Sequence, residues 1–148
     1  MKLRELIAGQ VIDAGRGRVT QNEIVEFAER YDPQWFHVDP DRAIASSWKG
    51  LIASGLLTCC VAMRLAVDAV LRDSDAIGSP GIEQVKWPNP MRAGDEFALR
   101  ITVLESRPSR SRPVGILRWR WVLTNQRHEE VLDLVATVLF GMPSGSQS

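Results

Sequence analysis

The back half of the chain carries three runs of alternating apolar positions. Phe97, Leu99, Ile101 and Val103 alternate with Ala98, Arg100 and Thr102, and Leu117, Trp119, Trp121 and Leu123 alternate with Arg118, Arg120 and Val122. Leu132, Leu134, Ala136, Val138 and Phe140 form the third run, and a shorter one spans Ile82 to Trp87. Successive side chains of a strand point to opposite faces, so these runs predict an antiparallel sheet with one face on the core. The front half has the helical period instead. Thr20 followed by Glu23 is a capping box, after which Ile24, Phe27, Ala28 and Tyr31 recur at helical spacing. Pro33 disfavours helical geometry at Asp32, so this helix is expected to end near Tyr31. Asp39-Pro40 reads as an N-cap with proline at the first helical position, opening a short turn through Ala45. From about Gly55 to Arg72 the chain is apolar nearly all round, and Arg64, Asp68 and Arg72 share one narrow stripe. A helix with so little polar surface has to be covered by other structure. One buried helix plus an antiparallel meander is an α+β layer architecture.

Composition adds bounds rather than a function. A chain of 148 residues fits one domain, here residues 1–142, followed by a tail at 143–148 of Pro, Ser, Gly and Gln that is expected to fray. Hydrophobic residues make up 45% and charged ones 24%, which suits a folded globular protein and argues against disorder. Eighteen basic residues balance eighteen acidic ones, so charge supplies no argument for a nucleic-acid or anionic-membrane partner. The two cysteines, Cys59 and Cys60, are adjacent and do not staple a fold in the usual way; both read as buried small residues of the central helix. Met1 to Leu6 lacks the apolar run of a signal peptide, and Leu51 to Leu71 is interrupted by Arg64 and Asp68, which a membrane span would not tolerate cheaply. Cytoplasmic is the expected location, with no membrane and no nucleic acid as partner.

The chain has two histidines of unequal interest. His128 lies in the polar stretch Asn125 to Glu130 between two strands and reads as an exposed turn residue. His37 lies in Tyr31-Asp32-Pro33-Gln34-Trp35-Phe36-His37-Val38-Asp39, an irregular segment between helices. A carboxylate and an imidazole near one water can remove one proton and donate another, as adding water across a double bond requires. Residue type alone leaves a plainer reading open, in which Asp32 forms a turn before proline and His37 packs among aromatics. No Cys/His/Asp cluster has metal-ligand spacing, and no glycine-rich phosphate loop follows a strand.

The run from Phe27 to Leu65, with Asp32, His37, Asp39 and Gly55 in it, resembles the MaoC-like dehydratase family, whose members include (R)-specific enoyl-CoA hydratases. The likeness continues through Gly81 to Trp87, Pro90 to Asp95 and Ser106 to Pro113. The family motif runs D-x-N-P-x-H-x-D, followed by an apolar-x-H-G sequence leading into the central helix. Here Gln34-Trp35 stands for Asn-Pro, and Ser54 stands for the histidine before the glycine. The resemblance implies a single hotdog domain, a long helix near 55–72 wrapped by an antiparallel sheet of five or more strands, and at least a homodimer. It implies Asp32 and His37 as the catalytic dyad, and Gly55 as the residue whose N–H meets the enolate oxygen. Gln34, Trp35, Phe36 and Ser54 would then border the substrate, and Arg107, Arg110 and Arg112 would meet the phosphates of coenzyme A, against which a solvated loop or a dimer contact stands as the plain reading. Trp119 and Trp121 read as core or subunit packing. The implied activity is reversible hydration of a 2-enoyl-CoA to a 3-hydroxyacyl-CoA, with no cofactor beyond the coenzyme A of the substrate and no metal. Two other classes remain beside it: a hotdog thioesterase, and a subunit that binds acyl thioesters without turnover.

Overall fold

Five strands build one antiparallel sheet in a computed structural model that describes residues 1–142. They are β1 (Val11–Arg18), β2 (Ala76–Lys86), β3 (Glu96–Pro108), β4 (Val114–Thr124) and β5 (Glu130–Gly141), in spatial order β1-β3-β4-β5-β2. The three alternating runs become β3, β4 and β5, joined by consecutive hairpins. Their register lines up Ile101, Trp121 and Leu134 in one row across the sheet, and Val103, Trp119 and Ala136 in the next. All six side chains are buried. On the opposite face Arg118 pairs with Glu83 and Arg120 with Asp133, each at 2.7 Å.

The edge strands escape the alternation. β1 was not foreseen: Val11 to Arg18 holds two glycines and buries only Ala14, and its register against β3 shifts between Asp13 and Arg16, where Gly15 takes φ +87°. That is the geometry of a bulge with glycine in the left-handed region. β2 begins at Ala76, six residues before the expected Ile82, because its first half carries Gly78, Pro80 and Gly81 in place of apolar residues.

The helices follow the capping signals. α1 (Gln21–Tyr31) starts where the Glu23 amide donates to the Thr20 hydroxyl at 3.1 Å and stops before Asp32 and Pro33. The segment around His37, expected to be irregular, winds into a single turn, α2 (Trp35–Val38). α3 (Pro40–Ile44) is capped by Asp39, which accepts from the Arg42 amide at 3.1 Å. The central helix α4 (Gly55–Ala66) passes into a π turn over Val67–Leu71. Leu57, Ala62, Ala66 and Val70 face the sheet and complete the core. The other flank of α4 stays open in the single chain, exposing Leu56 and Met63. Cys60 is exposed on that flank, so only Cys59, half-buried, keeps part of the burial expected for both cysteines. Among the described residues no helix is long and apolar enough to cross a membrane. The tail expected to fray, 143–148, lies outside the described residues.

Candidate active site

Asp32 closes α1, its amide donating to the Ala28 carbonyl, and Pro33 turns the chain so that α2 starts at Trp35. This short corner aims Asp32 and His37 at each other. Asp32 Oδ2 lies 3.2 Å from His37 Nε2. The imidazole is nearly closed off, with 6% of its side chain exposed, while Asp32 keeps 22%, enough for solvent to reach the pair. Phe36 packs edge-on against the imidazole, with ring centroids 4.4 Å apart, and Trp35 stacks under the Arg42 guanidinium at 4.4 Å.

A second segment holds the histidine from the other side. Leu51, Ile52, Ala53 and Ser54 are all buried on the way into α4. Ile52 donates its amide to the Phe36 carbonyl and accepts from His37 Nδ1 at 2.7 Å, and the Ala53 amide donates to the Met91 carbonyl. A carbonyl only accepts, so Nδ1 carries a hydrogen and Nε2 is the nitrogen presented to Asp32. At this separation Nε2 and the carboxylate are placed to pass a proton between them or to a water bound beside both.

The carboxylate has two further donors. Gln34 Nε2 donates to Oδ1 at 2.7 Å, and the Ser54 hydroxyl donates to Oδ2 at 2.8 Å. These hydrogen bonds, Gln34 first and Ser54 next, hold the Asp32 carboxyl below its ordinary range, with His37 adding to the effect against desolvation. Ser54 is the N-cap residue of α4, yet its side chain makes no cap hydrogen bond. The first N–H groups of α4, which have no intrahelical partners, are thus left without the usual side-chain acceptor.

Beside His37 and Gly55 lies a cavity of about 260 Å³, lined also by Trp48, Thr58, Trp87 and Met91. None of these four was assigned to the site from sequence, and Trp87 matters most for its geometry. Its indole covers Gly55 so closely that a Cβ there would overlap the ring. A side chain at 55 would therefore require the exposed indole to shift. The available signal was a tryptophan at a strand end, directly before Pro88-Asn89-Pro90.

The arginines lie elsewhere. Arg107 belongs to β3 rather than to a loop, pairs with Glu105 and donates to the Pro108 carbonyl; Arg110 and Arg112 are exposed in the β3–β4 connection. That connection sits where Val114 meets Gly141, at the end of the sheet where β2 begins, whereas Trp87 follows the opposite end of β2. Within one chain the structure does not bring these arginines to Asp32 and His37. His128 is exposed in the β4–β5 turn, as its surroundings predict.

Comparison with known proteins places the chain in a family. Residues 6–119 match the family model of the MaoC like domain. The chain belongs to the MaoC-like family. It is similar to the MaoC-like dehydratase of Rhodospirillum rubrum, at 38% identity and a TM-score of 0.85, covering 95% of this chain and 97% of that one. It is 30% identical over 139 residues to YdeM of Bacillus subtilis, covering 94% of this chain and 98% of YdeM. A shorter match, 33% over 78 residues, joins 51% of this chain to 52% of the 3-hydroxyacyl-thioester dehydratase Z of Mycobacterium tuberculosis. The fold of this MaoC-like chain is the hotdog, one helix against one antiparallel sheet. Its two polar departures from the MaoC-like motif, Gln34 and Ser54, both contact the same carboxylate.

Proposed function

We propose that the protein hydrates a 2-enoyl thioester reversibly to a 3-hydroxyacyl thioester, with coenzyme A as the handle of the substrate and no other cofactor or metal. The observation that carries this reading is the Asp32–His37 contact, set beside a cavity and the N-terminus of α4. Water adds its oxygen to the β-carbon and gives a proton to the dyad, while the dyad gives one to the α-carbon, so its proton count is unchanged after each turnover. Between the two steps negative charge gathers on the thioester oxygen, and the Gly55 N–H at the positive end of α4 is the donor for it. The 3-hydroxyacyl-thioester dehydratase among the relatives supports the same bond chemistry.

The assembly we propose is a homodimer in the cytoplasm. Leu56 and Met63 on α4 are exposed apolar side chains that a second copy would cover. Arg107, Arg110 and Arg112 reach a coenzyme A phosphate only if the handle runs the length of α4 or belongs to the second copy's site.

The deciding experiment is a panel of enoyl-CoA thioesters followed by loss of the conjugated absorbance, with free thiol measured in parallel. Loss of absorbance without thiol release is expected. Thiol release would make the protein a thioesterase, and tight binding without either signal would make it a binding subunit.

A further inference from the structure

We propose that Ser54 and Gln34 form a clamp on Asp32: positioning residues that fix its carboxylate against His37 while Ser54, by turning from its cap position, leaves the α4 N-terminus free for the substrate oxygen. This rests on the hydratase reading and deepens it.

Three observations meet here. Ser54 is 1% exposed and occupies the N-cap of a twelve-residue helix, where a serine ordinarily accepts from an amide of the first turn. Its hydroxyl instead donates to Asp32 Oδ2 across 22 residues of sequence. Gln34, two residues after Asp32, takes the other oxygen. With both oxygens held from separate directions, the carboxylate plane cannot rotate away from His37 without breaking a charge-assisted hydrogen bond.

The titratable group facing Asp32 from the packed elements is His37 of α2; Ser54 and Gln34 are neutral. Both donors favour the charged carboxylate, so removing either makes Asp32 harder to ionise.

The test compares wild type with Ser54→Ala and Gln34→Leu by two readouts. The first is the titration of the Asp32 side-chain carbon by ¹³C NMR, which needs no turnover. Its midpoint should move to higher pH in both variants. The second is the pH profile of hydration: kcat should fall by roughly 10–100-fold, in keeping with misplacement of a reacting group, with KM little changed and the acid limb shifted to higher pH. Ser54→Thr, which restores the hydroxyl, should bring the acid limb back. Gln34 is exposed, so its variant tests the clamp without a folding question. If Ser54→Ala does not fold by circular dichroism, Ser54→Cys keeps the volume with only a weak donor and is read in its place. An Asp32 titration unmoved in a folded Ser54 variant overturns the clamp, as does one unmoved in Gln34→Leu. A shifted titration in a protein that hydrates no enoyl thioester would sustain the clamp and remove the hydratase reading alone.

Discussion

Asp32 and His37 are expected to act as a unit. Asp32→Asn and His37→Ala should each cut hydration by about 10²–10⁴-fold, with the double variant little worse than the worse single one. Near-full turnover in either single variant would take that residue out of the mechanism. The hydrogen bonds to Asp32 also couple stability to pH. Its carboxyl titrates lower in the folded chain than in an unfolded one, so its contribution is in place above the ordinary carboxylate range and fades as pH falls through the lowered value. The stability gap between wild type and Asp32→Asn, from urea unfolding, should therefore narrow on acidification; a gap that widened would reverse the assignment. Gly55 answers to Trp87 at the same scale. Gly55→Ala should destabilise the wild type more than it destabilises a Trp87→Ala background, because the Cβ meets the indole. Equal costs in the two backgrounds would mean that the ring yields freely.

Among the elements, β4 is the middle strand and carries the largest side chains of the core. Trp119 is fully buried, so Trp119→Ala should cost about 3–5 kcal/mol, as large-to-small core changes do. A loss under roughly 0.5 kcal/mol in chemical denaturation, the range of a plain surface position, would contradict the packing. Strands such as β4 were legible in sequence because each is paired on both sides and buried on one face, which forces a two-residue period. β1 and β2 were illegible or half-legible for the opposite reason: they are edges, held by one neighbour, and tolerate glycine and proline. The site divides in the same way. Asp32 and His37 are five residues apart across one corner, so local sequence put them within reach of each other, and the family resemblance was needed to choose the dyad over a turn aspartate and a packed histidine. The hydroxyl of Ser54 and the indole of Trp87 arrive through tertiary packing, and no spacing rule connects either to its partner.

For the whole molecule, the open flank of α4 is the feature that a single chain does not satisfy. Light scattering at dilute concentration should show a dimer or larger, and Met63→Lys, which places a charge on that flank, should favour the monomer. Should Met63→Lys leave the assembly unchanged, the contact lies elsewhere on the surface. The first half of β2 bears on a different property, solubility. Among the described residues its outer edge has no partner, and the strand exposes Ile77 and Ile82, the kind of surface on which strands from other molecules can add without limit. Pro80 has no N–H to offer such a strand, and Gly78 and Gly81 flank it with φ near +155°, a shape that spoils a flat register. The same irregularity that hid half of β2 from its sequence pattern is thus a guard against fibrous stacking, and Pro80→Val should be paid for in turbidity at high concentration long before it is noticed in the active site.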